Sequence, residues 1–127
     1  MRVPLVLVVE DDPELRKLIC KHLESLGLEI NQAATGKAAL DALDKTTPAL
    51  VCLDLMLPEQ SGYSVCERMR RELRLLHVPV LVISARALPE DRAAAEEAGA
   101  SAYLVKPFTR KQLMGQVEAL IGPLLKR

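Results

Sequence analysis

Aromatic residues are almost missing from this chain: it has two tyrosines, one phenylalanine and no tryptophan in 127 residues. Its core must therefore be built from Leu, Val, Ile and Ala. An excess of one charge is also missing, since 17 basic residues balance 17 acidic ones. No global field exists to hold nucleic acid or an anionic membrane. Cysteine is sparse, odd in number and without C-x-x-C spacing; Cys20, Cys52 and Cys66 all fall in segments that read as core. They are expected to be small buried hydrophobes rather than a disulfide or metal framework, which suits a cytoplasmic setting. No apolar run approaches the roughly 20 residues of a membrane span. The opening Met1-Arg2-Val3-Pro4 leads into an apolar stretch too short for a secretory leader.

Half the residues are apolar and 27% charged, a globular composition in a chain long enough for one domain with a real core. Short apolar runs at Leu5–Val9 and at residues 28–33, 49–53, 79–83 and 101–105 read as strands. The run at 28–33 alternates apolar and polar residues, as a half-exposed edge strand does. Helical spacing fills the gaps. Leu15, Leu18, Ile19, His22, Leu23 and Leu26 share a face between Asp12-Pro13 and Gly27. Thr35 can cap a second helix bearing Ala38, Ala39, Ala42 and Leu43, and Val65, Met69 and Leu73 stripe a third. The segment from Pro89 to Ala98 is mostly alanine and charge, so its apolar face is thin. Leu113, Val117, Leu120, Ile121 and Leu124 stripe the last helix, capped by Thr109. Strand and helix alternate five times, which predicts a parallel α/β sheet covered on both faces by right-handed crossovers. No linker, repeat or second domain interrupts residues 1–127.

In open α/β sheets, ligands bind at the carboxyl ends of the strands. Here those ends carry Glu10, Asp11 and Asp12 after the first strand, and Asp54 after the third. Ser84 follows the fourth and Lys106 the fifth. Clustered carboxylates raise one another's pKa unless a cation joins them. Mg2+ prefers a few carboxylate oxygens together with water and phosphate, so Asp11 and Asp54 suit it. A carboxylate can also attack phosphorus to form an acyl phosphate, with Lys106 and Ser84 holding phosphoryl oxygens. Each residue alone has a plainer reading: the acid pair as a helix cap, Ser84 as a turn residue, Lys106 as a solvated charge. Burying a lone Asp54 would cost several kcal/mol, and the joint pattern at successive strand ends favours function.

Four segments carry a resemblance: Val8-Val-Glu-Asp-Asp-Pro13, Asp54-Leu-Met-Leu-Pro-Glu-Gln-Ser-Gly62, Val82-Ile-Ser-Ala85 and Lys106-Pro-Phe108. In this order and spacing the chain, over residues 3 to 125, resembles the receiver domain of bacterial two-component response regulators. The resemblance implies a flavodoxin-like (βα)5 sheet of order 2-1-3-4-5, an architecture for which this family is a standard example. It implies that Asp54 accepts a phosphoryl group from the phosphohistidine of a sensor histidine kinase or phosphotransfer protein. Asp11 would be a direct Mg2+ ligand, Glu10 would act through water, and the Met56 carbonyl would be a backbone ligand. Asp12 has a weaker claim and suits a cap before Pro13. Lys106 would pair with a phosphoryl oxygen, Ser84 would be the switch hydroxyl, and Tyr103 the aromatic that follows it inward. A cis bond at Lys106-Pro107 is expected on the same ground. Met56 and Arg86 lie two residues past Asp54 and Ser84, where bulky side chains would screen an acyl phosphate from water and slow its loss.

The output implied is a change in the face made by the fourth helix, fifth strand and fifth helix. The thin Ala93-Ala-Ala helix has the low local stability of a switching element. The partner is either a separate downstream protein or a covalently linked output domain; the tail Pro123-Leu-Leu-Lys-Arg127 comes about where linkers to DNA-binding domains often begin. A phosphorylation-dependent homodimer through the last helix is left open. No DNA-recognition motif lies in these residues, so direct nucleic-acid binding is not expected. The alternative is a small aspartyl-phosphate phosphatase. Such enzymes need a second acid two residues past the nucleophile, and Met56 stands there. A signalling phosphoacceptor that is not an enzyme on other substrates is the better reading.

Overall fold

The protein is described by a computed structural model over residues 3–125. Met1 and Arg2, and the Lys126-Arg127 end of the tail read above, lie outside the described residues. The chain runs β1 (Leu5–Val9), α1 (Pro13–Glu24), β2 (Glu29–Ala33), α2 (Gly36–Lys45), β3 (Leu50–Leu53), α3 (Gly62–Met69), β4 (Val80–Ser84), α4 (Pro89–Ala98), β5 (Ala102–Val105) and α5 (Arg110–Ile121). All strand pairs are parallel and the order is β2-β1-β3-β4-β5, as expected.

The side-chain period of two divides each inner strand between two cores. Leu7, Val9, Val51, Leu53, Val80 and Val82 pack under α2, α3 and α4 with Ala39, Leu43, Val65, Met69 and Ala95. Val6, Val8, Cys52, Leu81, Ile83 and Leu104 pack under α1 and α5 with Ile19, Leu23, Leu113, Val117 and Ile121. β2, at the edge, keeps only Ala33 fully buried. The cysteines are buried and free. Burial, with a smaller push from Cys20, raises the Cys52 thiol to about 12, so it stays protonated and inert at neutral pH.

The helix starts follow their caps. The Asp12 carboxylate accepts from the Glu14 N–H before Pro13. Thr35 accepts from Ala38, and Thr109 and Gln112 form a reciprocal capping box. Three leucines of the expected apolar stripes point outward. Leu18 lies 45% exposed, off the Leu15–Ile19–Leu23 row that α1 buries. α3 stops at Met69, Leu73 is 91% exposed, and Leu75 fills the core instead. Likewise α5 stops at Ile121, Leu124 lies in a 3-10 turn (Gly122–Leu124) with its side chain out, and Leu125 turns in.

Arg70 accounts for the break after α3. Its Nη1 donates to the carbonyls of Leu75 (3.1 Å), Leu76 (3.1 Å) and Val78 (2.8 Å), and its Nε to that of Gly99 (3.0 Å). One guanidinium thus gathers four carbonyls, three from the segment between α3 and β4 and one from the end of α4, and ties that segment back beside β4. Gly99 ends α4 at φ 113 and lies so close that a Cβ there would meet the Arg70 Cγ at 2.5 Å. Arg70→Leu is expected to cost about 2 kcal/mol in urea unfolding, as partly buried acceptors lose a charged donor. A loss within error would show that water serves these carbonyls equally well.

Candidate functional site

The register of the inner strands puts the polar residues side by side. Val9 pairs with Leu53, so Glu10 and Asp54 follow on adjacent strands. Their backbones extend the ladder: the Glu10 N–H donates to the Ala33 carbonyl (3.0 Å) and the Asp54 N–H to that of Val9 (3.1 Å). The Lys106 N–H donates to the Ser84 carbonyl (2.8 Å), which sets the fifth strand's end beside the fourth's. The Lys106-Pro107 bond is cis, as expected.

Lys106 Nζ lies 2.8 Å from Glu10 Oε1 and 2.9 Å from Asp54 Oδ2. The ammonium thus joins the two buried carboxylates, donating a hydrogen bond to Asp54 and forming an ion pair with Glu10. Glu10 is only 2% exposed and Asp54 5%. Oxygens of Glu10, Asp11 and Asp54 all come within 4.8 Å of one another, a group of three acids of which Asp11 is exposed. An all-carboxylate set at this spacing is a donor set for a hard divalent cation. Mg2+ fits these residues.

Burial holds the Glu10 carboxyl above the ordinary carboxylate range; the Asp54 charge adds to this, while Lys106 and the Asp12 N–H (3.1 Å from Oε2) oppose it. For Lys106, burial works against the ammonium, but Glu10 and Asp54 outweigh it and raise its pKa. The cation is thus held charged at neutral pH.

The other expected residues stand around this centre. Ser84 is fully buried at the end of β4, and its Oγ accepts from the Arg86 N–H (3.2 Å). Tyr103 donates its O–H to the Arg86 carbonyl (2.8 Å), and burial raises its pKa. The Met56 N–H donates to Asp54 Oδ1 (3.2 Å), and its side chain is exposed, with the sulfur 3.8 Å from Arg86 Nη1. The two bulky residues picked out in the sequence therefore touch. Asp12 serves as the α1 cap.

Three features escaped sequence reasoning. Asp91 is buried on α4, where it accepts from Arg86 Nε (2.9 Å) and from the Leu88 N–H (3.2 Å). An acid three residues into a helix was the available signal. Gly62 starts α3 against the Asp54 carbonyl, where a Cβ would come within 2.2 Å, so only glycine lets α3 pack on this loop. Arg16 donates through Nη1 to the Glu10 carbonyl (2.7 Å), and no spacing rule points to that contact.

The Glu10 shift carries a sign. A carboxyl raised in the folded state contributes stability that is complete below its unfolded value and is lost as pH rises through the folded one. Without Mg2+, Glu10→Gln should therefore be more stable than wild type at neutral pH. The gap should narrow as pH falls through the raised pKa of the folded carboxyl, where the wild-type side chain takes up its proton. Urea midpoints across that range check this, and a gap independent of pH would contradict it.

Comparison with known proteins agrees with this geometry. The profile of the response regulator receiver domain matches residues 6–118. The DNA-binding dual master transcriptional regulator RpaA of Synechocystis is 35% identical over 94% of this chain and 49% of its own length. The phosphate regulon transcriptional regulatory protein PhoB of Escherichia coli is 35% identical over 91% of this chain and 51% of its own. The chain thus spans about half the length of these curated relatives. Among solved structures, the receiver domain of the sensor histidine kinase PA1611 from Pseudomonas aeruginosa superposes with a TM-score of 0.87 at 31% identity, over 95% of this chain and 99% of that one. It holds a magnesium ion in its active-site cleft. No helix among the described residues is long and apolar enough to cross a membrane. The chain belongs to the response regulator receiver domains, the phosphoacceptor modules of two-component signalling, and carries an acidic cluster that fits Mg2+.

Proposed function

We propose that residues 1–127 act as one receiver module in which Asp54 takes the phosphoryl group from a phosphohistidine of a sensor histidine kinase or phosphotransfer protein. The observation that carries this reading is the half-buried Lys106 ammonium joining buried Asp54 and Glu10 beside Asp11. Asp11 and Asp54 would hold Mg2+ directly, with Glu10 through water and the Met56 carbonyl as a backbone ligand. The ion, when bound, neutralises the carboxylates and the phosphoryl oxygens. An Asp54 oxygen attacks phosphorus while the P–N bond breaks and its electron pair stays on the imidazole. Lys106 then leaves its pairing with the Asp54 carboxylate for a phosphoryl oxygen, and the Ser84 hydroxyl binds another.

The switch follows from what Ser84 gives up. Its Oγ holds the Arg86 N–H, and Tyr103 holds the carbonyl of the same residue. A Ser84 hydroxyl drawn to phosphate loosens Arg86, frees Tyr103 to move inward and biases α4, whose buried face is only Ala95, Ala98 and Asp91. The surface of α4, β5 and α5 would then meet a downstream protein or a linked output domain in the cytoplasm. The DNA binding named for the longer relative RpaA supports an output domain outside these residues.

A small acyl-phosphate donor with Mg2+ should add one phosphoryl mass to the intact wild-type protein, with little gain without Mg2+ and none in Asp54→Asn. An unchanged gain in that variant would overturn the assignment. The contact between Met56 and Arg86 supports slow hydrolysis of the acyl phosphate, since both side chains flank Asp54 and Ser84. Met56→Asn with Arg86→Ala should speed decay of the phosphorylated form several-fold; an equal half-life would remove the screening role.

A further inference from the structure

We propose that Arg16 is a positioning residue that sets the Glu10–Asp11 peptide, and with it the metal-binding carboxylates, from the first turns of α1. The inference rests on the acidic cluster being the Mg2+ site. Helical side chains lean toward the helix N-terminus. The half-buried Arg16 side chain thus runs back over the β1–α1 turn. There Nη1 donates to the Glu10 carbonyl (2.7 Å) and Nε to the Gln32 Oε1 on the edge strand β2 (3.1 Å). The planar fork presents Nε and Nη1 to two separated acceptors in fixed directions, which the single nitrogen of a lysine ammonium does not reproduce.

The turn is otherwise held at points that leave this peptide to Arg16. The Glu10 N–H goes to Ala33, the Glu10 carboxylate takes the Asp12 N–H, and the Asp12 carbonyl takes the Arg16 N–H (2.9 Å). The Glu10 carbonyl and the Asp11 nitrogen belong to one rigid peptide plane, so a donor fixed on that carbonyl fixes the direction in which Asp11 leaves the strand. Charge alone would not place an arginine here. A cation near a helix N-terminus opposes the helix dipole, and one beside an acidic cluster weakens its attraction for a divalent ion. Orientation and charge therefore predict opposite signs for its removal.

Mg2+ binding to the unphosphorylated full chain, followed by calorimetric titration, separates the two. Positioning predicts the affinity order wild type, Arg16→Lys, Arg16→Met, with the last weaker by about tenfold, as for other groups that orient metal ligands. The urea midpoint of the metal-free protein should move much less than the affinity does. A charge-only role predicts that Arg16→Met binds at least as tightly as wild type and that Arg16→Lys equals it; either result overturns the proposal. Arg16→Lys decides the matter by itself if Arg16→Met does not fold. A loss confined to the urea midpoint, with Mg2+ affinity unchanged, would also overturn it. Asp11→Asn marks the underlying reading. If it binds Mg2+ as wild type does, the acidic cluster is not the metal site and both claims fall. If it loses Mg2+ while both Arg16 variants keep it, only the Arg16 inference falls.

Discussion

The contact between the Lys106 ammonium and the carboxylates of Glu10 and Asp54 is what everything at the active end of the sheet depends on. Two acids buried on adjacent strands repel each other, and burial by itself raises the Glu10 pKa. A single cation from β5 offsets that repulsion without cancelling it, because three acids face one ammonium. The remaining negative charge is what a divalent cation would complete. The site is therefore a destabilised arrangement, held by the sheet around it and relieved by what it binds.

The sheet can hold it because its two cores are independent of the site. The inner strands alternate side chains between the α2–α3–α4 layer and the α1–α5 layer, both apolar and closely filled. On the inner strands the polar side chains are confined to the carboxyl ends, where the ladder hydrogen bonds of Glu10, Asp54 and Lys106 fix the backbone. Glu10, Asp54 and Ser84 are the buried polar residues of this end, and Asp91 buries with them from α4. Arg86 links that end to the surface: its N–H meets Ser84, its carbonyl meets Tyr103, and its guanidinium meets Asp91 and Met56. Few apolar atoms of α4 oppose a change there, which is where a switch element should be weakest.

Much of this was legible in the sequence. The strand runs, the strand order and the residues at the strand ends all matched expectation, as did the caps at Asp12, Thr35 and Thr109 and the cis bond at Lys106-Pro107. These features depend on period, local capping chemistry or motif order. One failure, Leu18, faces out within α1, and the other two lie past helix ends. Leu73 and Leu124 continue an apolar stripe by spacing, yet each falls past a helix end and points out. In the first case the reason is Arg70, whose bonds reach 29 residues along the chain to Gly99.

By itself the sequence determined the fold class, the two buried faces of the sheet and the set of residues at its active end, since burial and backbone hydrogen bonding are short-range rules that repeat along the chain. Only the tertiary structure decided which charges touch. It paired Lys106 with Glu10 as well as Asp54, brought Arg86 to Asp91 and Met56, and laid Arg16 on the Glu10 carbonyl. Those contacts depend on strand register and on long side chains that can choose among several acceptors. No local pattern encodes that choice, because its energy comes from groups that the folded sheet brings together.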